Sequence, residues 1–167
     1  MSRMATRLRS TGFAMLLGLC ASSAFAQSPA EFINDASAKG MADIEASRLA
    51  HQKTESKEVK DYTIVVINDR TTANQHLAKI AKQLDLPIAP REEMVDKAKA
   101  LMPQVKDDTS FDQAYVASQV KTTQEAIEQL QQQAQTTDLP QIKAFAEETL
   151  PKLQNQLQMA RALQASR

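Results

Sequence analysis

The sequence predicts an all-α protein, a bundle of four long helices, and three observations carry that prediction. From Gln27 onward there is one glycine, Gly40, while alanine, glutamine, lysine and glutamate, all strong helix formers, dominate. Apolar residues recur at steps of three and four through four stretches of about 25 residues, the periodicity of one buried helix face. Each stretch also opens on residues suited to a helix N-terminus.

Residues 1–26 predict something else, a cleavable secretory signal peptide. Arg3, Arg7 and Arg9 are followed by a short apolar run with Phe13, Leu16, Leu17 and Leu19, and then by Ala24-Phe25-Ala26, with small residues at −3 and −1. That run is shorter than the roughly 20 apolar residues that span a bilayer. Cys20, the sole cysteine, lies inside it, and the preceding Leu19 argues against lipidation because a lipoprotein signal has a small residue there. Removing the signal takes three arginines and no acid, so 17 basic residues face 20 acidic ones in the remaining 141. That balance gives no basic footprint for nucleic acid, the remaining chain has no thiol or disulfide, and no further apolar stretch is long enough to cross a membrane. The expected localisation is periplasmic, with residues 27–167 forming one domain.

The elements follow in order. Ser28-Pro29-Ala30-Glu31 is a capping box with proline at the first helical position, and its helix is expected to run to about residue 53. Ser56 and Glu58 restart the chain. A second helix then places Tyr62, Val66, Asp69, Ala73, Leu77, Ile80 and Leu84 on one stripe and keeps the β-branched run Ile64-Val65-Val66-Ile67 helical. The connection is short enough to make these two helices antiparallel neighbours. Pro87, Pro90 and Pro103 forbid one long helix across residues 85–110. A short extra helix is expected there from about Glu92 to Met102, inside a crossover long enough to run the length of the bundle. Thr109-Ser110-Phe111-Asp112 opens the third long helix, whose stripe is Val116, Val120, Thr123, Ile127, Leu130 and Ala134. The run Gln131-Gln132-Gln133 is read as an exposed face. Asp138-Leu139-Pro140-Gln141 is read as the cap of the fourth, whose stripe is Ile142, Ala146, Thr149, Leu153, Gln156, Ala160 and Leu163. Pro151 falls within it and predicts a kink.

Polar residues interrupt these stripes near the middle of every helix. Glu45 lies between Met41 and Leu49, Asp69 between Val66 and Ala73, Thr123 between Val120 and Ile127, and Gln156 between Leu153 and Ala160. Bundles build metal centres this way, from inward carboxylates and histidines at one depth. Only two of these four are carboxylates, so the expectation is a hydrogen-bonded layer, with Arg70 as a further member, rather than a cofactor site. No metal or other cofactor is expected. If a transition metal did bind, its candidate ligands would be Glu45, Asp69 and His76. His51, near the end of the first helix, is read as a solvated side chain meeting the helix dipole. No glycine-rich phosphate loop, thiol nucleophile or Glu-x-x-His pair is present, and no catalytic residues are assigned.

Several stretches resemble a known family. Phe32 to Ala50, with Gly40-Met41-Ala42-Asp43-Ile44-Glu45, is similar to the first helix of the bacterial exported ferritin-like proteins named only as domain of unknown function 4142. Phe111-Asp112-Gln113-Ala114-Tyr115 resembles the third-helix motif, and Phe145-Ala146 with Leu150-Pro151-Lys152-Leu153 resembles the fourth. The resemblance covers about residues 30–163. It implies a ferritin-like four-helix bundle outside the cytoplasm and no established activity. It also implies histidines at positions that here hold Arg70, Thr123 and Gln156, so that Asp69 and Glu45 remain without their imidazole partners.

Three functions compete on this reading. The first is a non-enzymatic envelope protein with a degenerate metal site. The second is a metal-binding or oxidase-like protein using Glu45, Asp69 and His76. The third is an envelope module that binds a partner protein or lipid surface through Met94, Val95, Leu101 and Met102. The partner itself is left open.

Overall fold

The computed structural model describes residues 27–101 and 110–166. The expected signal peptide of residues 1–26, Met102, Pro103 and Thr109 therefore lie outside the described residues. Among the described residues the chain forms five helices: α1 Pro29–Lys53, α2 Lys57–Gln83, α3 Arg91–Ala100, α4 Phe111–Thr136 and α5 Pro140–Ala165. The all-α helical bundle expected from periodicity is the observed architecture.

Local chemistry explains the ends. The Ser28 hydroxyl accepts the Glu31 N–H, and the Glu31 carboxylate accepts the Ser28 N–H in return, closing the capping box. Ser56 and Ser110 accept from Val59 and Gln113 in the same way. The expected cap of α5 is different. Leu139 is the N-cap with no side-chain bond, and Pro140 stands at the first position, where the missing N–H has no intrahelical partner to lose. Asp138 takes no part in that cap, and the Thr137 hydroxyl accepts the Leu139 N–H instead. At the end of α2, Asp85 adopts φ 51° and Leu86 N–H reaches back to Ala81 O, the left-handed helix stop that glycine usually supplies. Helix α5 runs on through Pro151, which faces solvent.

The four long helices pack in the cyclic order α1–α2–α5–α4, and α3 lies against α1. Asp112, at the start of α4, accepts a hydrogen bond from Thr54, just after α1, while Lys53 sits over the Phe111 ring. Gln129, near the far end of α4, bonds Asp35 in the first turns of α1. Helix α4 therefore runs antiparallel to α1, and the crossover joins opposite ends of the bundle. Short interhelical loops could not do that, so the proline-punctuated length of residues 84–110 is a topological requirement.

The stripes of α2, α4 and α5 fill the interior as expected. One apolar cluster includes Phe32, Leu77, Ile127, Leu130, Ile142 and Phe145, with the two phenyl rings edge to face at 6.5 Å. A second, toward the other end, joins Ala46, Val59, Tyr62, Val66, Tyr115 and Ala160. Two readings change. Gln133 is buried, whereas Gln131 and Gln132 are exposed. In α1 the inward line is not Met41–Glu45–Leu49 but the smaller residues Ala38, Ala42, Asp43, Ala46, Ser47 and Ala50. Large apolar residues mark a buried face only where there is room for them. Here α1 and α2 approach so closely that a Cβ on Gly40 would collide with the Asn74 carboxamide.

Candidate functional site

Between the two apolar clusters lies a layer of buried polar side chains contributed by all four long helices. Its centre is an ion pair. Arg70 Nη2 of α2 stands 3.0 Å from Asp43 Oδ2 of α1, and each side chain is under 10% exposed. Asp43 Oδ1 accepts from Gln119 Nε2 at 3.3 Å and from the Thr122 hydroxyl at 3.2 Å, both on α4. On the other side of the layer, Gln156 of α5 donates to Asp69 Oδ2 at 2.8 Å. Ser47 and Tyr115 share a hydrogen bond at 2.7 Å, and the Tyr115 ring meets that of Tyr62 edge to face. Burial pushes both phenols well above their ordinary range. At Tyr62 the Asp43 charge adds to this and Arg70 opposes it; at Tyr115 the bond to Ser47 opposes it.

The layer is incompletely satisfied. Arg70 Nε and Nη2, Gln119 Oε1, Gln156 Oε1, and the hydroxyls of Tyr62 and Thr123 are all buried without a well-formed hydrogen bond. Most buried polar groups in folded proteins have one. The Arg70–Asp43 contact is close enough for an ion pair yet is not aligned as a hydrogen bond.

The sequence-derived candidates separate. Arg70, Thr123 and Gln156 all reach the layer and are buried. Asp69 reaches its edge, half-buried on Gln156. Glu45 does not reach it: its side chain is 58% exposed and pairs with Arg48 one turn on. The residue that does face inward is Asp43, two positions earlier, which points Glu45 to the opposite side of the helix. His76 lies two turns beyond Asp69, where its ring meets Phe145 edge to face at 5.4 Å and its Nδ1 is 3.4 Å from Glu148 Oε2. Hydrogen bonding from Lys152 chiefly lowers the Glu148 carboxyl, and the nearby His76 lowers it further. His51 is half-buried, not merely solvated. Because the Thr63 hydroxyl donates to Lys60 O, it must accept from His51 Nδ1–H at 2.9 Å. Sequence reasoning missed Asp43, Gln119 and Thr122. The available signal was the alternation of small residues with Asp43 and Ser47 at four-residue spacing.

A metal centre would need several carboxylates or imidazoles converging on one point. Among the described residues no three of His, Cys, Asp and Glu do so. The residues of the layer do not fit an ion in any case. A permanent cation, the Arg70 guanidinium, already holds Asp43, and Asp69 is engaged by an amide.

Comparison with known proteins agrees on fold and family. The family described as "Domain of unknown function (DUF4142)" matches residues 14–163. No curated protein matches the chain. A solved structure, "CopM in the Cu(II)-bound form", superposes with a TM-score of 0.67 at 15% identity, covering 83% of this chain and 96% of that one. At that identity the likeness is one of fold.

Proposed function

From the premise that the chain belongs to the DUF4142 family, we propose that it is an exported, non-enzymatic helical-bundle protein whose central layer is a degenerate metal site held together by an internal cation. The observation that carries this is Arg70, a guanidinium buried at mid-bundle against Asp43. Two carboxylates attracting a divalent ion would have to admit it beside that fixed positive charge. Lysine can shed its proton to make room for a metal, but arginine cannot. The ferritin-like description belongs to the same proposal. It is supported by the antiparallel α1 and α4 and by the crossover between opposite ends. Export is supported by the arginines, apolar run and Ala24-Phe25-Ala26 of the first 26 residues. No helix among the described residues is long and apolar enough to cross a membrane.

A second reading, a copper-related role, draws on the CopM likeness. CopM is known in a Cu(II)-bound form, and this chain shares its fold. On that reading Arg70 and Gln156 would have to withdraw before an ion could reach Asp43 or Asp69.

One preparation tests both readings. Protein recovered from the bacterial envelope is analysed for metals and N-terminally sequenced, then dialysed against Cu(II) or Zn(II). The expected result is a chain beginning at Gln27 with no metal held in stoichiometric amount. One ion retained per chain, and lost in the Asp43→Asn, Asp69→Asn double variant, would reverse the order of the two readings.

A further inference from the structure

A cavity of about 100 Å³ runs inward between α1 and α4, where the bundle is less tightly closed than between α1 and α2. Its walls divide by chemistry. Phe32, Leu77, Leu130, Phe145 and Leu153 make the deep wall apolar, and Ala36, Gly40, Ala42, Ala73 and Ala126 leave the space by being small. Asp43, Arg70, Gln119 and Thr122 make one end polar. Toward solvent stand Lys39, Glu125, Gln129 and Leu101, the last 42% exposed.

We propose that this cavity binds a small uncharged molecule made of one apolar ring or short chain and one hydroxyl group. The inference goes beyond the reading of the layer as a degenerate metal site, and its test does not involve a metal.

Size sets the body of the ligand. An apolar cavity of about 150 Å³ accepts benzene. A partly open space of about 100 Å³ takes a single ring or a chain of similar bulk, with its edge at the mouth. Charge sets the head. Arg70 is already neutralised by Asp43 at 3.0 Å. A carboxylate entering here would leave two buried anions on one guanidinium, and an ammonium would face Arg70 directly. Burying an unbalanced charge is far more costly than burying a neutral polar group. Hydrogen bonding then selects among neutral heads. Arg70 Nε and Nη2 are buried donors without a well-formed partner, and Gln119 Oε1 is a buried acceptor without one. Both residues line the same polar end. A hydroxyl both donates and accepts, so a small turn of these side chains lets it serve both, whereas a ketone or ether can serve only the donor.

The test uses four probes built on one benzene ring on the purified protein: phenol, benzene, benzoate and benzylammonium. Binding is followed by titration of backbone amide resonances. Phenol is expected to shift residues along the cavity saturably, and to bind at least tenfold more tightly than each of the other three. Cavity-filling Ala126→Leu and, separately, Ala42→Leu should each weaken phenol at least tenfold while the helical circular-dichroism spectrum is retained. Benzoate or benzylammonium binding as tightly as phenol would overturn the neutral-head argument. Benzene binding as tightly would remove the polar end from recognition. Failure of phenol to bind, or its undiminished binding to a folded filled variant, would overturn the site itself. The probe series on the unaltered chain decides the matter even if both variants fail to fold.

Discussion

Helix α1 carries two ion-paired clusters, each centred on one aspartate, and they differ most in depth. Near its start, Asp35 holds Lys39 at 2.8 Å and Lys97 of α3 at 2.7 Å, with the two lysines 37% and 48% exposed. Two turns on, Asp43 holds Arg70 at 3.0 Å with both side chains nearly out of water. The shallow cluster has the shorter distances and the larger number of cations, yet the deep one governs the architecture. Solvent screens the first and repays either partner when the contact breaks. Little solvent reaches the second, so each partner depends chiefly on the other for its place in the interior. The choice of cation follows. Flexible lysines suit the wet rim, and the planar, permanently charged guanidinium suits the dry centre.

The sharpest way to break this comparison is to remove one partner of the deep pair. Asp43→Ala should cost about 3–5 kcal/mol in urea unfolding, because it strands a buried guanidinium. Replacing both partners, Asp43→Leu with Arg70→Met, should bring stability back to within about 1 kcal/mol of the parent or above it. If the double variant stays as unstable as the single one, the layer depends on the hydrogen bonds of Gln119 and Thr122 more than on charge. Glu45→Ala is the control on the same helix. It removes only an exposed pair with Arg48 and should move stability by less than about 0.5 kcal/mol.

Between the two clusters, Gly40 sharpens the comparison by testing what holds α1 close enough to α2 for the deep pair to meet. Asn74 Nδ2 lies across α1 and donates to Ser37 O at 3.1 Å, in the space a Gly40 Cβ would occupy. Alanine in mid-helix gains about 0.5–1 kcal/mol over glycine. Against that stand the loss of this hydrogen bond, about 1 kcal/mol, and overpacking of about 1–3 kcal/mol. Gly40→Ala should therefore destabilise the protein by about 1.5 kcal/mol. In an Asn74→Ala background, where the obstacle is gone, the same change should become stabilising. A double-mutant cycle by chemical denaturation reads the change of sign, and a Gly40→Ala cost that persists without Asn74 would point to another close neighbour.

These residues also show how far the sequence could be read. Helices, most caps and the stripes of α2, α4 and α5 were legible because each rests on local chemistry or on large apolar residues at regular spacing. Thr123 and Gln156 were placed in the layer for the same reason: their stripes are anchored on both sides by Val120 and Ile127, Leu153 and Ala160. On α2 the stripe carried Asp69, which reaches only the edge, while its neighbour Arg70, named as a further member of the layer, is the residue buried at its centre. Helix α1 was misread because, beyond Phe32 and Ile33, its buried face is built largely of alanine, glycine and serine, which occur as readily on a surface. Periodicity then latched onto Met41 and Leu49, which are only half-buried, and carried Glu45 inward with them. The identity of the buried acid depends on how closely two helices approach, and that distance is set by Gly40 and Asn74, 34 positions apart in the chain. The cavity is another such property: no single helix encodes the gap between α1 and α4.

The smallest effect tests the shallow cluster itself. Burial alone would raise the Asp35 carboxyl, but hydrogen bonds from Lys39, Lys97 and Gln129 outweigh it and hold the group down at about 2. A carboxyl whose folded value is depressed adds stability above its unfolded value, near 4, and loses it as pH falls toward the folded value. Screening at the half-exposed lysines limits the contribution to about 1 kcal/mol. Unfolding free energies measured from pH 5 down to pH 2 should therefore fall more steeply for the parent than for Asp35→Asn, with the gap between them closing by about that amount. Added salt should shrink the gap further, because ions reach this cluster and not the Asp43–Arg70 pair. Were the parent and Asp35→Asn to lose stability in parallel over that range, the surface cluster would have no pH-linked role, and the acid sensitivity of the bundle would rest on other carboxylates.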